Sequence, residues 1–476
     1  MREKAGGEGV TAGPRRIVVI GADAAGMSAA HQALRSARAE NEQIEVIALE
    51  KSSYTSYSAC GLPYLVAGDV GEFGELVARS PEQHRTMGVD LRTGAEVTGL
   101  DLGNRRVEYR TATAVESLTY DELVIASGAR PILPDWMFTA DGTLPPGVGA
   151  VKTPEDAEQW IGHFTRDRAD GPGPRTVLVA GGGYIGLEMA EAARRRGFEV
   201  LLMTRSRVMS SLDPEMSELI EKQLIAAGVQ VITGAAVTGI DCDAGGSVAR
   251  VWASDGSSYA CDLVVGALGV TPSTDFVPSG ALPLGPSGGI RAEADGSVVP
   301  HVWAAGDCCE TRHRITGDWC YLPLGTHANK QGRVVGRNVL GGCAEFGGVL
   351  GTAITRFCLD DTYIEIARTG LSLAEALAAG MDAVALSTTG RTASGYMPEA
   401  TPITTRLVAE VSTRRLLGAQ IVGGRGAAKR IDTVAAAIWG GQSVDDLAGM
   451  DLAYAPPFAT VWEAVQLAAR RLADRM

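Results

Sequence analysis

Short apolar runs that end in glycine recur along the chain and predict the parallel strands of an α/β fold. Residues 16–20 form such a run, residues 27–39 have a helical pattern, and a strand at 44–50 ends in Glu50. Strand, glycine turn, helix, strand and acid is the order of a dinucleotide-binding βαβ unit, in which the turn holds pyrophosphate and the acid binds ribose. The predicted contacts are Gly21, Ala22, Asp23, Ala24, Ala25, Gly26, Glu50 and Lys51. Because Asp23 replaces the middle glycine, a Rossmann-like turn without a nucleotide is the alternative.

A second unit of the same kind is predicted farther along, with a more complete glycine pattern. All three fingerprint glycines lie between a strand at 176–180 and a helix at 187–196, and a strand at 199–203 follows. The predicted contacts are Gly181, Gly183, Tyr184, Ile185 and Gly186. Two such units in one chain predict a flavin dinucleotide (FAD) in one and a nicotinamide dinucleotide in the other.

The end of the second unit's last strand bears on the choice of nicotinamide cofactor. An acid there would bind a free ribose 2′-hydroxyl, but this chain has Arg205 and Arg207 separated by a serine. Guanidinium groups pair with phosphate through two hydrogen bonds, which suits the 2′-phosphate of NADPH. The sequence therefore favours NADPH over NADH, although NADH is possible and a solvated basic turn is the alternative.

Two further strand ends are predicted to face the flavin. One strand ends at Ala126, Ser127 and Gly128, and another ends at Gly306 and Asp307, whose acid can bind ribityl hydroxyls. A helix beginning near Gly325 and Thr326 would direct its N–H groups at the flavin ring and stabilise negative charge there. Gly269 is one more predicted cofactor contact.

After about residue 346 the pattern changes, and no glycine fingerprint recurs. Strand-like runs at 383–387, 404–410 and 418–422 alternate with helical runs at 373–379 and 427–439. This pattern predicts a separate α+β domain of the kind used for dimerisation. The predicted fold class is thus α/β, with two Rossmann-like dinucleotide-binding domains, for FAD and NAD(P), and a C-terminal α+β dimerisation domain.

Composition narrows the possible partners. The chain has 476 residues and a net charge of −13, which disfavours nucleic acid as a partner. No apolar run approaches the ~20 residues of a membrane span, and the polar, glycine-rich start predicts a disordered tail at 1–15 without a secretory signal. Eight scattered cysteines and six histidines have no metal-ligand spacing, so no metal site is predicted. We expect reduced thiols and a cytoplasmic location.

One cysteine stands apart from the rest. Cys60 lies ten residues after Glu50 and is followed by Gly-Leu-Pro, which predicts a turn or the start of a helix. The next cysteine is Cys242, so an internal dithiol of the C-x4-C kind is absent. A thiol this close to a nucleotide site suggests redox chemistry on sulfur, with a small thiol, an oxygen atom or the cofactor as its partner. A buried structural cysteine is the alternative. The adjacent Cys308 and Cys309 are expected to be structural.

The motifs in their order resemble one enzyme family. They are Cys60-Gly-Leu-Pro-Tyr, the loop 181–186, Ala-Gly-Asp at 305–307 and the segment 451–457. In these the chain resembles the single-cysteine branch of the flavin-dependent pyridine nucleotide–disulfide oxidoreductases, most of all the CoA-disulfide reductases and the related NAD(P)H oxidases and persulfide reductases. The resemblance implies an FAD domain at 16–150 and 282–344, an NAD(P) domain at 151–281, an interface domain at 345–476, and a homodimer.

The resemblance also implies residue roles. Cys60 would be the redox cysteine, and Tyr184 would cover the flavin until nicotinamide displaces it. Tyr396 and Tyr454 would reach the thiol site of the partner subunit, where a neutral phenol can protonate a leaving thiolate. The residues implied to contact a CoA-like substrate are Gln32, Arg35, Ser56 and His327.

Some positions depart from the family pattern. Ala24 replaces the histidine of NADH peroxidases, which counts against peroxide chemistry, and Ala59 replaces an asparagine common in the CoA enzymes. Lysines expected near Met87 and Trp462, to meet CoA phosphates, are absent. These departures count against CoA as the substrate but do not count against disulfide chemistry.

The sequence thus predicts an enzyme that moves electrons from NADPH through FAD and Cys60 to a small disulfide or thiol of the CoA type. Because the attacking species must be a thiolate, Cys60 is expected to have a lowered pKa. Three alternatives are an NAD(P)H oxidase that uses a sulfenic acid on Cys60, a persulfide or polysulfide reductase, and a flavin redox sensor without catalytic turnover.

Overall fold

The first strand among the described residues is largely buried and lies near the centre of the first sheet. The computed structural model describes residues 13–165 and 175–476, so positions 1–12 of the predicted tail lie outside the described residues. The first strand begins at Arg15, the last residue of that tail. In chain order the first elements are β1 (Arg15–Ile20), α1 (Ala24–Glu40), β2 (Ile44–Glu50), α2 (Leu62–Ala67), α3 (Pro81–Thr86), β3 (Asp90–Thr93), β4 (Glu96–Asp101), β5 (Arg106–Arg110), β6 (Val115–Thr119), β7 (Glu122–Ile125) and β8 (Ala129–Pro131).

Strand β1 pairs in parallel with β2 on one side and β7 on the other, and β2 pairs with β3. Parallel strands bring their carboxyl ends to one edge of the sheet. Gly21, Glu50 and Ala126, which follow or end these strands, therefore lie at that edge. Strands β4 to β6 form a separate three-stranded antiparallel sheet.

A second parallel sheet follows. Its region contains β9 (Val148–Gly149), α4 (Pro154–Thr165), β10 (Thr176–Ala180), α5 (Tyr184–Arg195), β11 (Glu199–Thr204), α6 (Pro214–Ala226), β12 (Val229–Thr233), β13 (Val237–Cys242), β14 (Val248–Ala253), β15 (Ser258–Ala260), β16 (Leu263–Gly266) and β17 (Val270–Pro272). The strand order is β12-β11-β10-β16-β9. Because β9 already pairs with β16, this sheet begins before the predicted boundary at residue 151. Strand β17 pairs with β8 and returns the chain to the first region.

The third stretch completes the first sheet. Its elements are β18 (Ile290–Arg291), β19 (Ser297–Val299), β20 (Val302–Ala304), β21 (Cys309–Arg312), β22 (Trp319–Cys320) and α7 (Gly325–Asn338). Strand β20 pairs in parallel with β7, and α7 packs against α1. A Cβ on Gly332 or Gly336 would overlap backbone atoms of α1, so these glycines permit the close approach of the two helices.

The last region is antiparallel. It contains β23 (Ala353–Leu359), β24 (Thr362–Gly370), α8 (Leu373–Ala378), β25 (Ala383–Arg391), β26 (Pro402–Glu410), β27 (Leu416–Gly423), α9 (Ile431–Trp439), α10 (Val444–Gly449) and α11 (Ala464–Ala473). The strand order is β23-β24-β27-β26-β25, and the helices share a buried apolar core with this sheet. Two mainly parallel sheets followed by this α+β region confirm the predicted fold class. Within the described ranges, no helix combines the length and the apolar character that crossing a membrane requires.

Candidate active site

Glycine makes the first turn possible. Gly21 has a φ of +89°, and a Cβ there would overlap the Ala126 carbonyl oxygen. A Cβ on Gly26 would overlap the Gly21 carbonyl oxygen in the same way. These two residues let α1 pack directly on the strand ends, as a dinucleotide turn requires. Ala24 begins α1, and Ala25 lies buried where α7 crosses it.

Glu50 closes the turn from the neighbouring strand. The backbone N–H of Ala22 donates to Glu50 Oε2 at 2.9 Å, and the N–H of Ser52 donates to Oε1 at 2.9 Å. Burial, together with the nearby charge of Glu50, raises the pKa of Asp23 to about 6. The carboxyl that replaces the middle glycine thus carries its charge less readily than an ordinary aspartate. Lys51, the neighbour of Glu50, is exposed.

The other two predicted strand ends lie at the same edge. Ser127 donates from its hydroxyl to the Ser273 carbonyl at 2.7 Å, and Gly128 accepts from the Ser273 N–H at 3.0 Å. The Gly306 N–H donates to Oε1 of Gln331, a residue of α7, at 2.8 Å. Burial raises the pKa of Asp307. Gly325 and Thr326 begin α7 and are exposed, whereas Gly269 lies beyond this edge and accepts from the Ile132 N–H at 3.0 Å.

Lys152 is a charged group that the sequence did not reveal. Its positive charge lowers the pKa values of Asp23, Asp307 and Cys60 against the burial that raises them. It precedes α4, far from all three in the chain, and no local motif marks it. A glycine turn at a helix start, two acids at strand ends and this cation make a cradle that fits FAD.

The second glycine turn repeats the geometry of the first. Gly181 has a φ of +115°, and its Cβ would overlap the Ala267 carbonyl oxygen. A Cβ on Gly186 would overlap Gly181, whereas a Cβ on Gly183 would meet no atom within 4 Å. The turn is therefore open at Gly183, where a pyrophosphate would approach. Tyr184 begins α5, and burial raises its pKa to about 12, which keeps the phenol neutral.

The two predicted phosphate ligands lie beside this turn. Arg205 and Arg207 follow β11 and are exposed, as is Ile185. Neither arginine forms an ion pair with a carboxylate within residues 13–165 and 175–476. The loop that holds them contacts the glycine turn, because the Met209 N–H donates to the Gly182 carbonyl at 2.7 Å.

Cys60 lies in a single 3-10 turn, Ala59–Gly61, immediately before α2. Part of its surface is exposed. Burial raises the pKa of the Cys60 thiol, and the charge of Glu188 raises it further. The prediction of a lowered Cys60 pKa is therefore wrong as far as the protein groups are concerned. Lys152 and the local backbone lower this pKa, but burial raises it by more.

Glu188 is a second group that the sequence analysis missed. It lies on α5, one helical turn after Tyr184, and its Oε1 accepts from the Thr355 hydroxyl at 2.9 Å and from the Tyr64 hydroxyl at 3.4 Å. Burial raises the pKa of Glu188 to about 7. The i, i+4 spacing from Tyr184 could have indicated that both residues share one helix face.

The predicted substrate residues lie along α1 and the loop after β2. Arg35 Nη2 donates to Gln32 Oε1 at 3.0 Å. Ser56 Oγ lies 2.9 Å from His84 Nε2, and His84 Nδ1 lies 2.7 Å from His31 Nε2. Burial lowers the pKa of His31 to about 4, with further lowering from His84 and Arg79. The buried imidazole of His31 is therefore neutral, and sequence analysis had no signal for the pair.

Cations approach both positions where lysines were expected. Arg38 Nη2 donates to the Met87 carbonyl at 3.2 Å. The guanidinium of Arg470 lies 4.3 Å from the centre of the Trp462 ring. Arg79 is exposed and, like Arg38, has no carboxylate partner in the part of the chain that the structure describes. Arginines from other parts of the chain thus lie beside both positions at which the expected lysines are absent.

The two tyrosines lie on the C-terminal region. Tyr396 is 76% exposed and Tyr454 is 47% exposed. Their loops are joined by a 2.9 Å hydrogen bond from the Ser394 N–H to the Pro456 carbonyl. Neither phenol makes a hydrogen bond to any described residue, so their role toward a second copy of the chain stays a prediction. His327 Nδ1 lies 3.1 Å from the Leu322 carbonyl, and burial lowers its pKa.

The adjacent cysteines of the sequence analysis lie in the buried core. Cys308 and Cys309 are buried free thiols whose sulfur atoms lie 3.7 Å apart. Across the two described ranges, no three His, Cys, Asp or Glu residues are grouped closely enough to hold a metal ion.

Comparison with known proteins gives the family. The model of pyridine nucleotide-disulphide oxidoreductases matches residues 15–332, and the model of their dimerisation domain matches residues 362–465. The chain belongs to the pyridine nucleotide-disulphide oxidoreductase family. This confirms the resemblance drawn from the motifs, and it makes the protein an NAD(P)H-dependent flavin oxidoreductase with a fold that binds FAD and NAD(P)H.

Three relatives illustrate the range of the family. The NAD(P)H coenzyme A polysulfide/persulfide reductase of Pyrococcus horikoshii is 35% identical over 465 residues, which cover 96% of this chain and 98% of the relative. The solved NAD-dependent persulfide reductase of A. fulgidus is 33% identical, with a TM-score of 0.88, over 97% of this chain and 83% of its own. An engineered water-forming NADPH oxidase bound to NADPH, derived from the Lactobacillus brevis enzyme, is 26% identical with a TM-score of 0.88 and covers 97% of this chain and 98% of its own.

Proposed function

We propose that the protein uses NADPH to reduce a sulfur–sulfur bond in a CoA-type substrate, either a disulfide or a persulfide, through Cys60. The observation that carries this proposal is the exposed thiol of Cys60 immediately before α2, with the partly buried carboxyl of Glu188 acting on its pKa. Cys60 has no second cysteine with which to form an internal disulfide, so its proposed partner is an external sulfur compound.

The charge around the predicted substrate residues supports an anionic thiol. Arg35, Arg38 and Arg79 are exposed on α1 and before α3, close to the Ser56–His84 contact. Guanidinium groups without carboxylate partners are suited to phosphate oxygens, and CoA carries several. The name of the Pyrococcus horikoshii relative, which includes coenzyme A and persulfide, supports the same substrate class.

The covalent step at Cys60 is an exchange of sulfur partners. The Cys60 thiolate attacks one sulfur of the substrate R–S–S–R, a new Cys60–S–R bond forms, and the substrate S–S bond breaks. The leaving thiolate R–S⁻ takes a proton from Tyr396 or Tyr454 of a second subunit in the proposed homodimer. FAD held by the first glycine turn would supply, from NADPH, the two electrons that break the Cys60–S–R bond, which returns Cys60 to the thiolate and releases the second thiol.

The preference for NADPH has its own support. The engineered oxidase was obtained by substitutions that remove an aspartate, place Ala-Arg-Ser at three consecutive positions and add a second arginine, and it was solved with NADPH. This chain has Thr204-Arg205-Ser206-Arg207 after β11. An arginine pair with a neighbouring hydroxyl can bind a 2′-phosphate through charge-assisted hydrogen bonds.

An NADPH oxidase is the second candidate, and its support is the structural similarity to an oxidase over 97% of this chain. In that case oxygen is the acceptor, and Cys60 cycles through a sulfenic acid instead of a mixed disulfide. The two candidates differ in what remains bound to Cys60 in the purified protein.

Mass spectrometry of the unreduced and then reduced protein, with peptide mapping of Cys60, separates them. A CoA-sized adduct that leaves on reduction is the expected result, together with NADPH oxidation that depends on CoA disulfide or CoA persulfide. One added oxygen and rapid oxygen consumption without a sulfur substrate would favour the oxidase. Cys60→Ser should keep its flavin and lose sulfur reduction, and retained turnover in that variant would overturn the proposal.

A further inference from the structure

The loop of residues 205–213, here called the phosphate loop, joins β11 to α6 and carries Arg205 and Arg207. Its middle is fixed to the second glycine turn by the 2.7 Å bond from the Met209 N–H to Gly182. Met209 has a φ of +48°, which a residue with a side chain adopts only when its surroundings impose it. The loop is therefore held in a bent conformation and does not maintain it alone.

The C-terminal region holds the far end of the phosphate loop. Arg406 Nε donates to Asp213 Oδ2 at 2.6 Å, and these side chains are only 8% and 4% exposed. Gln420 forms two hydrogen bonds with the same residue: its Nε2 donates to Asp213 Oδ2 at 3.0 Å, and its Oε1 accepts from the Asp213 N–H at 2.8 Å. Arg368 Nη1 donates to the Ser211 carbonyl at 2.7 Å.

These contacts come from three strands of one sheet. Arg368 lies on β24, Arg406 on β26 and Gln420 on β27, and the three strands are neighbours in the order β24-β27-β26. The sheet is thus a rigid platform for the end of a loop that belongs to the other domain. Arg406 also pairs with Glu215 and donates to the Ser387 hydroxyl at 3.1 Å, which fixes its own position.

We infer that Arg406 and Arg368 are specificity-determining positioning residues, which hold the phosphate loop so that Arg205 and Arg207 meet the 2′-phosphate of NADPH. This inference rests on the proposed preference for NADPH. A loop ordered before binding loses less conformational freedom when the ligand arrives, so its contacts contribute more of their energy to affinity. NADH lacks the 2′-phosphate and does not use these arginines, so the gain applies to NADPH alone.

The test measures NADP⁺ and NAD⁺ binding to the holoenzyme by calorimetry in Arg406→Lys and Arg368→Met. Lysine keeps the charge beside Asp213 but loses the planar fork that reaches several partners, so the buried carboxylate is not left unpaired. We expect NADP⁺ to bind about tenfold more weakly while NAD⁺ changes less than about twofold. Arg414→Ala, which removes an exposed pair with Asp445 in the same domain, is the matched control and should change neither.

Two results would overturn the inference. One is unchanged NADP⁺ binding in both variants, and the other is an equal loss for NADP⁺ and NAD⁺, which would indicate general damage to the domain. If Arg406→Lys does not fold, Arg368→Met decides alone, because Arg368 only touches the loop through a carbonyl.

Combined variants separate this inference from the proposed function. In an Arg205→Ala, Arg207→Ala background, Arg406→Lys should cause no further loss of NADP⁺ affinity, since nothing remains to be positioned. Unchanged NADP⁺ binding in the Arg205→Ala, Arg207→Ala protein would refute the proposed NADPH preference itself. A clear loss in that protein, without any loss in Arg406→Lys or Arg368→Met, would refute only the positioning role.

Discussion

Tyr64 donates a hydrogen bond to Glu188 across 3.4 Å, which joins the helix that follows Cys60 to the helix that follows the second glycine turn. Thr355 of the C-terminal region donates to the same carboxyl oxygen at 2.9 Å. Three regions of the chain thus meet at one partly buried carboxyl, whose pKa is raised by burial to about 7. After burial, the charge of Glu188 is the largest influence that raises the pKa of Cys60.

Glu188→Gln should therefore make Cys60 a better nucleophile above neutral pH. Glu188 is mostly ionised at pH 8 and mostly protonated at pH 6, so removing its charge lowers the Cys60 pKa only in the higher range. We expect alkylation of Cys60 by iodoacetamide to be a few-fold faster than in the wild type at pH 8 and similar at pH 6. Peptide mass spectrometry measures the rate at Cys60. The exposed Glu199→Gln is the control, and equal rates at pH 8 would contradict the prediction.

Asp23 gives a second dependence on pH. The folded state raises its pKa from 3.8 to about 6, so it holds this proton more tightly than the unfolded chain does. The resulting stability is present below about pH 4 and is lost as the pH rises through 6. Asp23→Asn should therefore raise the melting temperature, and the temperature of FAD release, at pH 8 and leave both nearly unchanged at pH 4.

Flavin fluorescence during heating measures the release of FAD, and circular dichroism measures unfolding. Asp255→Asn, at an exposed hairpin, is the control for a lost charge outside the site. Earlier release of FAD from Asp23→Asn at pH 8 would show instead that the carboxylate binds the cofactor.

The two glycine turns and the acid at the end of β2 could be predicted from the sequence, because each depends on residues close together in the chain. Gly21, Gly26, Gly181 and Gly186 each approach backbone so closely that no side chain fits, and a requirement of this kind leaves a glycine at a fixed spacing. Glu50 follows from its position at the end of β2. Element ends were less predictable: β25 extends to Arg391 through polar residues because β26 pairs with it along its whole length.

Groups that come together only in the folded chain were missed. Lys152, Glu188 and His84 lie on different elements from Cys60 and Ser56, which they influence, and no spacing in the sequence relates them to those two residues. The expected lysine near Met87 shows the same limit, because Arg38 of α1 supplies the charge from another element. The Cys60 pKa was predicted in the wrong direction because burial, which has no local signature, outweighs the favourable groups.

Arg79 should contribute to the binding of an anionic substrate. It is exposed, lacks a carboxylate partner among the described residues, and acts on the pKa values of His31 and His84, which places its charge near Ser56. Arg79→Ala should raise the KM for CoA disulfide roughly fivefold, equivalent to about 1 kcal/mol, with kcat little changed. The matched control is Arg85→Ala on α3, whose guanidinium is already paired with Glu82. Equal KM values in wild type and Arg79→Ala would argue against a phosphate contact there.

The exposed tyrosines lead to the last prediction, which concerns proton supply across a dimer. Replacing both Tyr396 and Tyr454 by phenylalanine should lower kcat with CoA disulfide by about 100-fold, since general acids contribute at least that much. Tyr259→Phe, in the sheet of β13 to β15, is the control for loss of a phenol. Mixing this double variant with Cys60→Ser tests the arrangement in space. If the phenols act on the thiol of the other subunit, each mixed dimer contains one intact site, and random mixing restores about a quarter of the wild-type activity. If they act within their own subunit, every site in the mixture has a defect and no activity returns.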